Sequence, residues 1–399
     1  MVERRRWTVL AVGTFAQAAT SSFLYGMPML VPALRSGEGI SLVHASFLVT
    51  APILGLLLTL IGWGALADRY GERVVIVSGV AATAVLLAMV APVGGLTAVA
   101  LLLGLAGAFA ASVNAASGRL VMGWFPVSER GLAMGTRQTA QPLGVALAAL
   151  ALPPLAHAYG AREALLFPAV LCGAAALAVL LLVADPPRPA RAAVAVAPSS
   201  PYRGSRTLAR VHLASAMLVV PQFAVATFTL IYLVDVRHWD ASVAGRWIFG
   251  FQSAGAAGRI VAGVWSDRVG SRLAPMRQLG VASALLMFGL AVGAWLDAGW
   301  IVLVFALAAV VTVADNGLAY ISVAELAGSS WAGRALGTHN TVQNLAAITT
   351  APMLAAVISD ARYGWAFALT AVFPLLAVPL TPVAAERRRQ VEEPLAARF

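Results

Sequence analysis

The chain has 399 residues, 60% hydrophobic and 11% charged, with a formal net charge of +10 and one cysteine. So little polar surface excludes a soluble globular protein of this length, and one cysteine excludes a disulfide or a cysteine-based metal site. All 27 basic residues are arginine, which excludes P-loop and Schiff-base lysine chemistry, and they lie in short connections between apolar runs rather than on one nucleic-acid-binding face.

Twelve apolar segments of about 20 to 28 residues follow in chain order, each long enough to cross a bilayer. Span one (8–34) carries Gln17 and Tyr25, and span two (44–67) runs into a charged turn with Gly64, Asp68, Arg69, Gly71 and Arg73. Span three is 74–93. Span four (97–123) holds Asn114 and Arg119, and a connection with Glu129 leads to span five (131–157), whose first turns carry Arg137, Gln138 and Gln141. Span six is 163–184. A polar stretch, 185–207, holds Pro186, Pro187, Pro189, Pro198 and Pro201 with several arginines and reads as a linker. Span seven (208–234) carries Gln222 and Tyr232, and span eight (241–266) carries Arg259 before a second charged turn of Gly263, Asp267, Arg268, Gly270 and Arg272. Span nine is 273–297. Span ten (300–328) holds Asp315, Asn316 and Glu325, span eleven (333–358) holds His339, Asn340 and Gln343, and span twelve is 363–384. The spans are too long and too uniformly apolar for barrel strands, so the expected fold is an all-α membrane protein. Two six-helix halves are expected, 1–184 and 208–399, the second with a short cytoplasmic tail.

The halves are duplicates. Both charged turns read G-x-x-x-D-R-x-G-x-R, offset by 199 at every matched position. Asn114, Gly135, Thr136, Thr139 and Gln141 return as Asn316, Gly337, Thr338, Thr341 and Gln343, offset by 202. Gln17, Ser22 and Phe23 correspond to Gln222, Thr227 and Phe228, offset by 205. A chain of two such repeats predicts a transporter with a substrate cavity on the pseudo-twofold axis. With the N-terminus inside, nineteen arginines fall in inside segments and four (Arg35, Arg162, Arg237, Arg362) in outside ones, so both termini are expected to be cytoplasmic. No cleavable signal is expected, because Glu3 to Arg6 lead straight into a span too long for one.

These motifs resemble the major facilitator superfamily along nearly the whole chain. Gly64 to Arg73 is similar to that family's signature between its second and third helices. Gly118, Arg119, Trp124, Phe125, Pro126, Glu129, Arg130 and Gly131 are similar to its fourth-to-fifth connection. Arg137, Gln138, Pro142 and Gly144 resemble branches that carry cyanate, oxalate or other small organic anions. The resemblance implies that Asp68, near the start of helix eleven, and Asp267, near the start of helix five, latch one end state. It also implies a monomer without cofactor. The residues carry their own logic: Gly64 and Gly263 let backbones approach closely, and Gly71 and Gly270 permit a turn with positive φ. A carboxylate at a helix N-terminus is worth up to about 2 kcal/mol when partly buried. Arg73 with Glu129, and Arg272 with Glu325, are expected ion pairs within each half.

Ionisable residues at membrane depth are functional candidates. Asp315, near the middle of span ten, is the expected proton-coupling residue; the plainer alternative is a carboxyl that only ties helices together. Arg137 offers a planar fork suited to a carboxylate, and its repeat position is His339, which can bind an anion or relay a proton. Gln138 with Asn340, and Gln141 with Gln343, form matched polar ladders beside them. Arg259, Tyr25, Gln17, Gln222 and Tyr232 complete the substrate-contact set, against the alternatives of snorkelling and helix-packing polar groups. Arg119 and Arg246, nearer span ends, are expected to snorkel.

The function that follows is secondary active transport of a small organic anion, proton-linked, by alternating access in a bacterial cytoplasmic membrane. The expected partners are an anionic small molecule, protons and membrane lipid, with no nucleic acid. Proton-antiport efflux of drugs is the alternative, although span one has no acid and span five lacks a G-P-x-x-G-G pattern. A membrane enzyme is a third reading, but H-E-x-x-H and G-x-S-x-G motifs are missing from the sequence.

Overall fold

The computed structural model describes residues 2–31, 33–34, 39–40, 42–186, 200–203, 205–239, 241–328, 330–358 and 363–388. Most of the expected linker and the tail beyond 388 lie outside these residues, as do Arg35, Arg188, Arg191, Arg362, Arg389 and Arg398. The described residues form helices joined by short turns and loops, with no strand among them. The helices are α1 (Val2–Leu24), α2 (Leu42–Tyr70), α3 (Glu72–Ala88), α4 (Leu96–Trp124), α5 (Arg130–Gln138), α6 (Ala140–Tyr159) and α7 (Leu166–Leu182). They continue as α8 (Thr207–Asp235), α9 (Ala241–Val269), α10 (Leu273–Trp295), α11 (Ile301–Ala314), α12 (Asn316–Ala327), α13 (Ala332–Ile358) and α14 (Tyr363–Leu380). Among the described residues, nine helices are long and apolar enough to cross a membrane, counting 127–159 and 301–327 as single runs. Large apolar side chains on these helices are exposed, Leu58 at 85% and Leu150 at 78% among them, as a lipid-facing surface requires.

Contacts divide the chain into two compact units. One comprises Met1–Pro126, Thr136–Pro198 and Gly328–Thr341; the other comprises Val127–Gly135, Ser199–Ala327 and Val342–Phe399. Each unit therefore takes one short stretch from the opposite half of the sequence. In the first, Phe23, Leu56, Leu60, Leu103 and Leu152 share one core, and Val9, Ile76, Leu120, Cys172 and Val179 another. In the second, the core gathers the rings of Phe228, Tyr232, Phe305, Tyr363 and Phe367 with Met287, Leu290 and Ile301.

Small residues set the closest packing. Between α2 and α4 of the first unit, a Cβ at Gly107 would collide with the backbone of Pro52, and one at Gly55 with the carbonyl of Gly104. Thr59 Oγ1 and Trp63 Nε1 both donate to the Ala108 carbonyl, at 2.8 and 2.7 Å. Without a hydrophobic driving force inside lipid, such backbone proximity and polar stitching hold helices together. Gly107→Ala is expected to lower the thermal midpoint and the folded yield, at a cost of about 1–3 kcal/mol. Gly104→Ala, where the nearest atom to a new Cβ is 3.6 Å away, is expected to be tolerated. Thermal melting of the two purified variants checks this, and equal midpoints would refute it.

Two helical runs expected to be continuous are interrupted. α5 and α6 part at Thr139, whose amide bonds to Thr136 O at 3.1 Å, three residues back instead of four. The cause is Pro142, which has no N–H for the carbonyl of Gln138. α11 and α12 part at Asp315, within the run Asp315, Asn316 and Gly317 of poor helix formers.

Candidate functional site

Each charged turn holds a helix start, and does so within one unit. In the first unit, Asp68 Oδ1 accepts from Gly333 N at 2.9 Å and Oδ2 from Arg334 N at 3.2 Å, at the beginning of α13. In the second, Asp267 Oδ1 accepts from Gly131 N and Oδ2 from Leu132 N, both at 2.9 Å, at the beginning of α5. The first amides of a helix have no intrahelical acceptor, so a carboxylate satisfies two of them and meets the positive end of the dipole. The glycines allow the approach. A Cβ at Gly64 would land on Gly333 O and one at Gly333 on Gly64 O; Gly263 and Gly131 stand in the same relation. Gly71 and Gly270 turn the chain out of α2 and α9 at φ 100° and 67°.

The charges around the two aspartates differ. Arg272 Nη1 pairs with Asp267 Oδ1 at 2.6 Å, and its Nη2 donates to Val127 O at 2.6 Å. In the first unit the matching Arg73 turns away. Its amide donates to Asp185 Oδ1 at 2.8 Å and its guanidinium to Leu180 O. The cation on Asp68 is Arg119, which also reaches Glu72 Oε1 at 2.6 Å. Glu72 opens α3 fully buried, and burial raises its carboxyl above the usual range against the pull of Arg119. Two expectations are thereby corrected. Arg73 is held by the end of α7 instead of Glu129, and Glu325 pairs with Arg130 at 3.1 Å instead of with Arg272. Arg119 does not snorkel either; with its side chain 13% exposed, it is drawn in by two carboxylates. Arg246, by contrast, is exposed. Arg69 and Arg268 are exposed, Arg69 lying 5.2 Å from the Tyr70 ring.

Asp185 and Glu386 were not picked out from the sequence. Glu386 Oε1 accepts from Arg272 N at 2.7 Å, as Asp185 does from Arg73 N. Their offset of 201 matches the repeat, and that was the available signal.

Deeper along the helices, two polar clusters repeat a motif. In the first unit, Gln17 Nε2 donates to Asn114 Oδ1 at 3.0 Å. Ser117 Oγ donates to Gln17 Oε1 at 3.1 Å and accepts from Arg137 Nε and Nη2 at 2.9 and 2.7 Å. Asn340 Nδ2 donates to Asn114 O at 3.2 Å, and His339 and Gln138 are buried. Gln141 and Tyr25 are half-buried. In the second unit, Asn316 Nδ2 donates to Gln222 Oε1 at 2.9 Å, and Gln343 Nε2 donates to Ser215 Oγ at 2.7 Å and Asn316 Oδ1 at 3.5 Å. The Gln17–Asn114 and Gln222–Asn316 bonds thus join the residues paired by the repeat. Tyr232 is enclosed by the rings of Phe305, Tyr363 and Phe367 at 5.2–6.1 Å. Ser117 and Ser215 carried no sequence signal.

The buried charged groups among the described residues include Arg137 at 1%, Arg259 at 6% and Asp315 at 3% exposure. Arg137 is ten residues from the start of the run 127–159, and Arg259 ten from the end of α9 at Val269. Each is therefore about 15 Å along its helical run from that end. Asp315 lies at the break between α11 and α12, near the middle of its run, and Arg259 and Asp315 attract each other electrostatically.

Comparison with known proteins gives the same frame. The family model of the Major Facilitator Superfamily matches residues 9–351. An uncharacterised MFS-type transporter found in two strains of Mycobacterium tuberculosis is 43% identical over 379 residues, covering 95% of this chain and 85% of the relative. The fold is similar to that of the E. coli fucose:proton symporter FucP, with a TM-score of 0.73 and 16% identity, covering 94% of this chain and 97% of that one. It is also similar to the human organic anion transporter MFSD10 (TETRAN), with a TM-score of 0.70 and 18% identity, covering 95% and 99%. The chain belongs to the Major Facilitator Superfamily and is a transporter-family membrane protein.

Proposed function

We propose that this protein is a proton-linked secondary active transporter for a small organic anion such as a mono- or dicarboxylate, working by alternating access. One observation carries the reading: Arg137 is 1% exposed, and its guanidinium is held by Ser117 Oγ at 2.9 and 2.7 Å, a fixed planar donor fork suited to a carboxylate. Arg137 is the anion ligand. Ser117 fixes its guanidinium, and Gln138, Gln141, His339 and Asn340 supply further polar groups in the same unit. Asp315 is the proton carrier, with Arg259, Gln222 and Gln343 as its polar surroundings. The fucose:proton symporter and the organic anion transporter of similar fold are in keeping with this reading. The Asp68 and Asp267 contacts latch one end state and release in the other. Twelve spans in halves 1–184 and 208–399, joined by the linker 185–207, with cytoplasmic termini in a bacterial inner membrane, complete the proposal.

The test is counterflow in liposomes against monocarboxylates, dicarboxylates and cationic dyes. Acids are expected to exchange, and Arg137→Gln is expected to lower their exchange by on the order of 100-fold, as loss of a charged hydrogen-bonded ligand does. Movement of dyes with no acid would overturn the anion reading in favour of drug efflux. Undiminished acid exchange in Arg137→Gln would remove that residue from the site.

A further inference from the structure

We infer that the N-terminal end of α1 is a binding site for the headgroup of an anionic phospholipid. Arg4, Arg5 and Arg6 are consecutive and stand just before the apolar run that begins at residue 8. Two of them are held by rings. The Arg5 guanidinium lies 5.8 Å from the Trp124 centroid, and that of Arg6 lies 5.5 Å from Phe125 and 5.8 Å from Trp7. Trp7 and Phe125 meet edge to face at 5.1 Å, and Trp124 Nε1 donates to Ala184 O at 3.0 Å. The ends of α1, α4 and α7 are thus tied together at one level within the first unit. Arg73, anchored on Leu180 O, joins them from the start of α3.

The level identifies the ligand. Trp7 and Trp124 sit where their apolar helices end, the depth at which aromatic side chains meet lipid headgroups. Arg4, Arg5 and Trp7 are exposed there, Trp7 at 42%. Ring faces orient a guanidinium without neutralising it, and the exposed Arg4 and Arg5 present planar donor forks that fit a phosphate. A juxtamembrane basic cluster draws anionic lipid in the same way. Zwitterionic lipid, carrying its own ammonium beside the phosphate, satisfies the site less well.

Native mass spectrometry of the full chain, offered phosphatidylglycerol and phosphatidylcholine with matched acyl chains, tests the site. The wild type is expected to retain phosphatidylglycerol preferentially. Arg5→Gln/Arg6→Gln is expected to lower that preference on the order of tenfold, while Arg5→Lys/Arg6→Lys keeps most of it. Raising the salt to about 1 M, where screening acts within about 3 Å, is expected to erode the wild-type preference without any substitution. Equal retention of the two lipids by the wild type would overturn the site. So would an undiminished preference in the glutamine variant, or one insensitive to salt.

Discussion

Asp68→Asn is expected to release the start of α13, with amide exchange at Gly333 and Arg334 accelerated on the order of 100-fold. The carboxylate accepts both amides and carries Arg119 on one side, with Arg334 Nε 3.8 Å away on the other. A carboxamide has one acceptor oxygen, so its NH₂ would face one of the two amides, donor against donor. Arg119 would then be left with Glu72 alone. Loss of the dipole contact, up to about 2 kcal/mol, and of charged hydrogen bonds worth about 1.5–3 kcal/mol net amounts to roughly two factors of ten at about 1.4 kcal/mol each. Hydrogen exchange over 331–336 in the purified protein measures it. Asp267→Asn is expected to do the same at Gly131 and Leu132. If the latches act as one unit, either variant loosens both helix starts; if they act separately, each loosens its own. Unchanged exchange at 333 and 334 in Asp68→Asn would remove the latch role from Asp68, the carboxylate that accepts from both amides.

The asymmetry of the latches shows where a repeat stops being informative. The offset of 199 pairs Asp68 with Asp267 and Arg73 with Arg272, and the two carboxylates hold equivalent helix starts. The arginines do not follow. Which carboxylate a long guanidinium reaches depends on the helices beside it, and Arg119 has Ile321 at its repeat position, so the first unit draws its cation from α4 and the second from its own turn. Periodicity along the chain contains no information about that choice. The Gln–Asn bonds were legible as matched residues, but their joining of α1 to α4 and of α8 to α12 is a tertiary fact. The break at Thr139 was readable from Pro142 three residues on, because the missing N–H strands a carbonyl. The break at Asp315 has no proline behind it and rests only on weak helix formers. Both breaks lie beside a buried charge singled out from sequence, and at both positions the repeat partner, Thr341 or Val113, stays inside an unbroken helix.

That divergence leads to the second large effect. Arg259→Gln is expected to destabilise the protein, because it removes a buried positive charge that attracts the Asp315 carboxylate. Asp315→Asn is expected to be costly for the converse reason. The double variant Arg259→Gln/Asp315→Asn removes both charges and should regain most of the lost stability, giving a coupling energy well above the roughly 0.5 kcal/mol seen for independent sites. Thermal midpoints in one detergent, compared across the cycle, provide the measurement; additive shifts would mean that the two groups do not act as a pair. Transport separates stability from coupling. If Asp315 carries the proton, the double variant should stay folded and exchange substrate by counterflow, yet fail to accumulate it against a pH gradient. Accumulation at wild-type levels in that variant would place the proton elsewhere. A buried pair that only tied helices together would restore both properties at once. Recovery of folding without recovery of proton-driven uptake is the result that a coupling role alone requires.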